Sequence, residues 1–499
     1  MKKITLSFPA VILVSLLIQS FGLFKSLLLA KDFGANSTID AFYLANVFTI
    51  SIFTIVGSAI TTIVIPELNT QKGFKEKKGY IENYLTIITI LSVTISLVMF
   101  FVILIGGKWI APKFDSTSRL LFILMTGILL ISQQFKIQAS FSISLFQNEG
   151  HYILPRAMDL IPVLIPFLYL IMSRSANIIF LTIFTALAYI IETFFFNYLQ
   201  AKMNPLFVFR PNFDFNQNVR VMMLNTVPIL LSSTVFQFQV LLSNYFAGFF
   251  GRGYITLLSN ANQIMGIFQS LFIMNLVNMI YPRMVKDLKK NLSNGISKIS
   301  QYVSLTNLVV IILIWGYLAV GFDLVKLLFV RGHFTLENAR IVYNYGVVLG
   351  VVLPFDVLRD YCYRTYYAIG NTKKPMLNSI STVILNIFLL IVLSRIVGSI
   401  SIVLAPALGT IVSMIMILIR AYSDGIRIKL LNIFGAYVAT NILGFSMYYL
   451  IRTIHYSSSN LAGELIINVL IGAMFIGCVL LLGLGVFYLV RKLDLKNNN

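Results

Sequence analysis

Long apolar runs follow one another from end to end of this chain, separated by short polar segments. They fall near 5–29, 41–66, 82–105, 120–145, 153–173, 176–200, 221–246, 255–281, 300–321, 341–360, 376–396, 398–419, 431–451 and 461–490. A helix needs about 20 apolar residues to cross a bilayer core, so the pattern predicts an all-α membrane protein with 14 spanning helices. The first run begins as a signal peptide would, but it is too long and lacks a small-x-small cleavage site. It is read as a retained span. No loop is long enough for a soluble domain, which excludes a large extracytoplasmic catalytic domain and a nucleotide-binding domain.

Composition agrees with the pattern. Of 499 residues, 58% are hydrophobic and 11% charged, with a mean hydropathy of +0.87, far from the balance of a soluble domain. The net charge of +20 would suggest nucleic acid in a soluble protein, but here the basic residues lie in short loops and report orientation. With the N-terminus in the cytoplasm, the inner segments hold more than twice the Lys and Arg of the outer ones, which places both termini inside. The strongest inner loops are KGFKEKKGY (72–80) and RMVKDLKKNLSNGISK (283–298). Cys362 and Cys478 form neither a CxxC pair nor a disulfide framework. There is no GxxxxGK[ST] loop, and His151, His333 and His455 lie far apart without HExxH. Neither ATP hydrolysis, a metal nor a cofactor is expected.

The two halves repeat. Gly34, Ala45-Asn46 and Pro66 of "IPEL" are echoed about 216 residues later by Gly251, Ala261-Asn262 and Pro282 of "YPRM". "FQNEGHYILP" (146–155) and "AIGNTKKP" (368–375) are both polar Gly-Asn turns with Pro opening the next helix. The economical division is an N-terminal lobe (1–200, spans 1–6), a cytoplasmic linker (201–220), a C-terminal lobe (221–419, spans 7–12), then two terminal spans and a cytoplasmic tail (420–499). Repeats that preserve topology imply a pseudo-two-fold axis along the membrane normal and a cavity between two pseudo-symmetric lobes.

Polar groups within spans are expensive unless they face another helix or water. Span 1 carries Gln19 and Lys25, span 2 carries Asp40 and Asn46, and span 7 carries Ser233, Gln237 and Asn244. In span 8, Ser259, Asn262, Gly266 and Gln269 mark one helical face, with Gln263 beside it. Gln19, Lys25, Asp40, Asn46, Asn262, Gln263 and Gln269 are the candidate substrate-cavity residues. Lys25 either snorkels to the headgroups or faces the cavity and holds an anion such as a diphosphate, with Asp40 as its partner. Lys136 and the glutamines of "SQQFKIQ" (132–138) are candidates to line water, and Arg156 and Asp159 form an i,i+3 pair. Glu192, Asp356 and Arg359 are candidate coupling or gating residues. Prolines 162, 166, 228, 354 and 406 interrupt spans and are expected to kink them.

The island LLLAKDFGANSTIDAFYLAN (28–47) poses the choice between an enzyme and a transporter. Asp32 and Asp40 stand where a membrane glycosyltransferase would place a catalytic acid, but the short outer loops and the two-half repeat favour a transporter.

"FGLFKSLLLAKDFGANSTIDAFYLAN" (21–46) resembles the opening of the lipid II flippase family, MurJ/MviN, within the multidrug/oligosaccharidyl-lipid/polysaccharide exporter superfamily. The resemblance extends through "IPEL", "YPRM", "LLFVRGHFT" (327–335) and "RTYYAIGNTKKP" (364–375), nearly the whole chain. It implies a two-lobed transporter of the bacterial cell membrane, not an enzyme, that moves an undecaprenyl-linked sugar precursor outward by alternating access. The implied partners are that precursor, membrane lipids, and wall- or polysaccharide-synthesis proteins. Lys25 and Asp40 match the family's pattern. Gln19 stands where the family has arginine, the basic pair of span 2 is absent around Phe53 and Thr54, and the Asp-Arg of span 8 reads Asn262-Gln263. The acids that some relatives use for sodium in spans 7 and 11 are absent from 221–246 and 376–396. These departures keep open a different lipid-linked glycan as cargo, a small-molecule antiporter of the same superfamily, or a non-transporting scaffold.

Overall fold

The computed structural model describes residues 2–68, 74–203, 211–214, 216–454 and 460–497. Residues 72–73 of the first basic loop, part of the linker 201–220, and His455 lie outside the described residues. The elements are α1 (Lys2–Phe33), α2 (Ser37–Leu68), α3 (Phe74–Ile110), α4 (Ser116–Asn148), α5 (Ile153–Met158), α6 (Ile161–Met172), α7 (Ile178–Met203) and α8 (Gln217–Phe250). They continue with α9 (Tyr254–Phe268), a π-helical turn (Gln269–Met274), α10 (Asn275–Lys290), α11 (Leu292–Phe329), α12 (Leu336–Val351), α13 (Leu353–Ala368) and α14 (Lys373–Ile396). A 3-10 turn (Gly398–Ile400), α15 (Ser401–Ser423), α16 (Leu430–Ile454) and α17 (Leu461–Asn497) complete the chain.

Among the described residues there is no strand, and 14 helical segments are long and apolar enough to cross a membrane. Within lipid each backbone N–H and C=O must be satisfied inside its own segment, which is why long helices result. Many helices outrun the apolar runs: α3 has 37 residues and α11 has 38, against about 20 needed to span. Lys and Glu at their ends are good helix formers, so the helix continues into water after the hydropathy signal stops. Large apolar side chains such as Ile105, Met172 and Leu431 are 82% exposed, as lipid-facing positions are.

Caps and turns follow the sequence signals. Asn36 accepts from the N–H of Thr38 at 2.9 Å and of Ile39 at 3.2 Å, capping α2, and its amide closes α1 on the Phe33 carbonyl at 2.8 Å. The two Gly-Asn turns close alike. His151 N–H donates to Phe146 O at 2.8 Å and Asn371 N–H to Tyr366 O at 2.9 Å, around Gly150 (φ 84°) and Gly370 (φ 82°). This is the helix-ending bond that a left-handed glycine permits. The prolines act unevenly. The span holding Pro162 and Pro166 breaks between α5 and α6, and the one holding Pro354 breaks between α12 and α13. Pro228 and Pro406 lie inside continuous α8 and α15. The eighth span instead changes winding at 269–274, where the chain has no proline.

The chain divides into two compact units. The first comprises Met1–Ile267, Arg331–Thr335 and Met376–Gly409. Its main core packs Ile52, Val56 and Ile60 of α2 on Tyr84 and Ile88 of α3, with Ile137 and Phe141 of α4 and Met222 of α8. The second comprises Phe268–Val330, Leu336–Pro375 and Thr410–Asn499. Its core gathers Met284 of α10, Val303 and Val310 of α11, Tyr361 and Cys362 of α13, and Ile417 of α15.

Candidate functional site

The charged island 28–47 proves to be a packed junction. Asp40 is fully buried and its carboxylate caps the first turn of α9. It accepts from the N–H of Gly253 at 2.5 Å, the N–H of Thr256 at 2.8 Å and the hydroxyl of Thr256 at 2.6 Å. Charge-assisted bonds at a helix N-terminus are among the stronger ones available. Asp40 and Thr256 are 216 residues apart, the offset of the sequence repeat, so equivalent positions of the two halves grip each other.

Glycines let the surrounding loops close. A Cβ on Gly332 would stand 2.1 Å from Lys31 O, on Gly34 2.6 Å from His333 O, and on Gly253 2.7 Å from Ala35 O. All three have positive φ (56°, 67° and 89°), which glycine alone adopts freely. His333 N–H donates to Lys31 O at 3.2 Å. The expected Lys25–Asp40 partnership is therefore overturned. Asp40 is consumed by α9, because backbone donors in a buried junction hold a carboxylate better than a flexible lysine would.

Lys25 is half-buried in α1, and among the described residues no carboxylate lies within ion-pairing distance of its ammonium. Gln19 is also half-buried. One turn on, the Gln263 amide lies 3.3 Å from where a Cβ of Gly22 would stand. Asn262 and Gln269 are exposed, and Asn46 is half-buried with its amide turned back to Phe42 O at 2.9 Å. α2 and α8 are joined by polar contacts, Ser51 to Gln237 at 3.1 Å and Ser58 with Ser233 at 3.1 Å.

The first unit also holds a chain of charges. Glu192 of α7 is fully buried, and both of its oxygens accept from Lys136 Nζ of α4, at 2.7 and 2.8 Å. Lys136 reaches Asp159 at 3.3 Å, and Asp159 pairs with Arg156 at 3.1 Å. Arg156 Nε then donates to Ser15 Oγ of α1 at 2.9 Å. Lys136 thus lies buried in an ion network, with Phe53 and Tyr189 rings at 5.5 and 5.4 Å, rather than lining water. Its neighbour Gln134 bonds Ser92 at 2.7 Å and Ser96 at 2.6 Å on α3. In the second unit Arg359 pairs with Asp356, and Arg364 with Asp360 at 2.7 Å. Both are ladder pairs within α13. No group of three or more His, Cys, Asp or Glu that could hold a metal ion occurs among the described residues.

The family model described as "Lipid II flippase MurJ" matches residues 29–473. The chain belongs to this family. A curated relative, the probable lipid II flippase MurJ of Bdellovibrio bacteriovorus, is 25% identical over 223 residues, 43% of this chain and 41% of that protein. That alignment spans about two fifths of the relative's length. Among solved structures, a lipid II flippase MurJ in an inward closed conformation aligns with a TM-score of 0.80 at 17% identity, covering 94% of this chain and 98% of the other. An inward-facing multidrug transporter of the MATE family aligns at 0.59 with 12% identity, covering 83% and 95%. A superfamily transporter from Pyrococcus furiosus aligns at 0.58 with 12% identity, covering 85% and 95%. These structures share the fold.

Within this MurJ-family frame, the sequence singles out Asp40 and Glu192 but not the groups that hold them. The Lys136–Glu192 pair joins positions 56 residues apart, and no local spacing signals it. The glycine contacts had a signal, since Gly34, Gly253 and Gly332 each stand in a short polar turn between apolar runs.

Proposed function

We propose that this chain moves lipid II, the undecaprenyl-diphosphate-linked sugar precursor of peptidoglycan, from the inner to the outer leaflet by alternating access. The family match across 29–473 carries this reading. The excess of Lys and Arg on one set of loops supports an orientation with both termini cytoplasmic, in the bacterial cell membrane. The repeat supports two six-span lobes, 1–200 and 221–419, as the moving bodies. In that orientation the Asp40–Thr256 junction and its glycine contacts lie on the outer side and hold it closed there. Lys25, a cation with no carboxylate in ion-pairing distance among the described residues, is suited to neutralise a diphosphate away from water. Gln19, Asn46, Asn262, Gln263 and Gln269 supply hydrogen bonds suited to sugar and peptide groups. Glu192 is not free to couple an ion while Lys136 holds both of its oxygens.

The test is depletion of the protein followed by mass spectrometry of polyprenyl-linked intermediates, with other flippases removed. Accumulation of lipid II supports the reading. Accumulation of another lipid-linked oligosaccharide, or an unchanged profile, overturns it.

A further inference from the structure

The proposal that follows rests on the flippase reading and adds a residue to it. The fifth span is discontinuous. α5 ends at Met158, α6 begins at Ile161, and Pro162 and Pro166 remove backbone donors just beyond the break. Irregular backbone at membrane depth persists only where protein buries it or where it lines a cavity, and transporters place charged-ligand sites at such breaks.

Arg156 stands on the last turn before this break. Its guanidinium has five N–H donors. The structure assigns one to Ser15 Oγ at 2.9 Å and one to Asp159 Oδ2 at 3.1 Å. Its side chain is 35% exposed and that of Asp159 30%, whereas Glu192 at the far end of the same network is 0% exposed. The buried end is held by both Glu192 oxygens on Lys136, and the accessible end has guanidinium donors without a hydrogen-bond partner among the described residues.

Ser15 orients Arg156 along α1. Ser15, Gln19, Gly22 and Ser26 succeed one another at 4-3-4 spacing, a single helical face, and Lys25 flanks it. Ten residues separate Ser15 from Lys25, about 15 Å of helix axis at 1.5 Å per residue. A planar fork suits two phosphate oxygens at once, where an ammonium acts as a point charge.

We propose that Arg156 is a second diphosphate-binding residue, contacting the lipid-linked diphosphate on the inner half of α1 before Lys25 takes it on the outer half. Asp159 holds the fork in place and competes with the incoming anion, while the Lys136–Glu192 pair keeps the rest of the network neutral.

The test uses the full chain in detergent. Binding of undecaprenyl diphosphate is measured by native mass spectrometry, beside undecaprenol, and with inorganic pyrophosphate as competitor. The Arg156→Gln protein should bind undecaprenyl diphosphate about tenfold more weakly and undecaprenol unchanged. Asp159→Asn should bind the diphosphate lipid more tightly, and Ser15→Ala, which releases the fork without removing its charge, should fall between wild type and Arg156→Gln. Competition by pyrophosphate at similar concentration would mean that the diphosphate alone is recognised; its failure to compete would place the lipid chain within the recognised ligand. Both support the site. Wild-type affinity in a folded Arg156→Gln protein overturns this proposal and leaves the flippase reading standing. If Arg156→Gln does not fold, unchanged affinity in both Asp159→Asn and Ser15→Ala overturns it. Failure of the wild type to bind any diphosphate lipid overturns both readings.

Discussion

Asp40 does at one residue what a loop sequence alone does not announce. Three donors converge on its carboxylate from α9, and hydrogen bonds to a charged group contribute about 1.5–3 kcal/mol each. Asp40→Asn keeps one acceptor oxygen but turns an amide toward a donor, so the junction should open. With a cysteine placed at Asn46, labelling by a membrane-impermeant maleimide should rise several-fold in Asp40→Asn. Equal labelling would refute a closing role. The glycines make a second prediction at this scale. Gly332→Ala drives a methyl to 2.1 Å from Lys31 O and adds about 1–2 kcal/mol for the left-handed backbone. Gly370→Ala meets open space and carries only the backbone cost. Melting in detergent should therefore fall further for Gly332→Ala, and equal shifts would contradict the packed junction.

Between elements, α4 and α7 are tied by a charge pair that neither helix could carry alone. Lys136→Met leaves Glu192 buried without a partner, a loss of about 3–5 kcal/mol, whereas replacing both partners with apolar groups is often neutral. Lys136→Met should melt several degrees below the parent, and Lys136→Met with Glu192→Leu should recover most of that loss. If the double variant melts no higher than the single one, the pair is not the source of the cost. A milder tie joins α13 and α14 at the turn after α15. The Tyr366 hydroxyl donates to Asp424 at 2.7 Å and Lys374 reaches it at 3.3 Å. Those bonds, Tyr366's first, hold the Asp424 carboxyl below its ordinary value. A depressed native pKa contributes stability above the unfolded carboxylate value, about pH 3.9, that is lost as pH falls through the native one. Asp424→Asn should thus melt slightly below the parent at pH 7, and the gap should close as the pH drops below 4. A gap independent of pH would assign the effect to packing. The π-helical turn at 269–274 had no sequence signal, since helical spacing runs through Gln269 unbroken and winding depends on what packs around it.

For the whole molecule, hydropathy sufficed to give 14 spans and an all-α class, because lipid admits little else and the only variable is where the chain leaves it. The repeat at 216 residues and the five quoted segments were enough to identify the family. At this scale the expected outcome is lipid II accumulation on depletion, read by mass spectrometry. The sequence by itself determined span number, the helix ends at the two Gly-Asn turns, and the candidacy of Lys25, since each depends on local composition or on the free energy of transfer into lipid. Tertiary structure alone decided that Asp40 binds α9 rather than Lys25, and that Lys136 meets Glu192 while Arg156 meets Ser15. The physical reason is the same in each case. A buried charge takes whichever partners the packing of distant helices brings within about 3 Å, and one chain's local spacing says nothing of those.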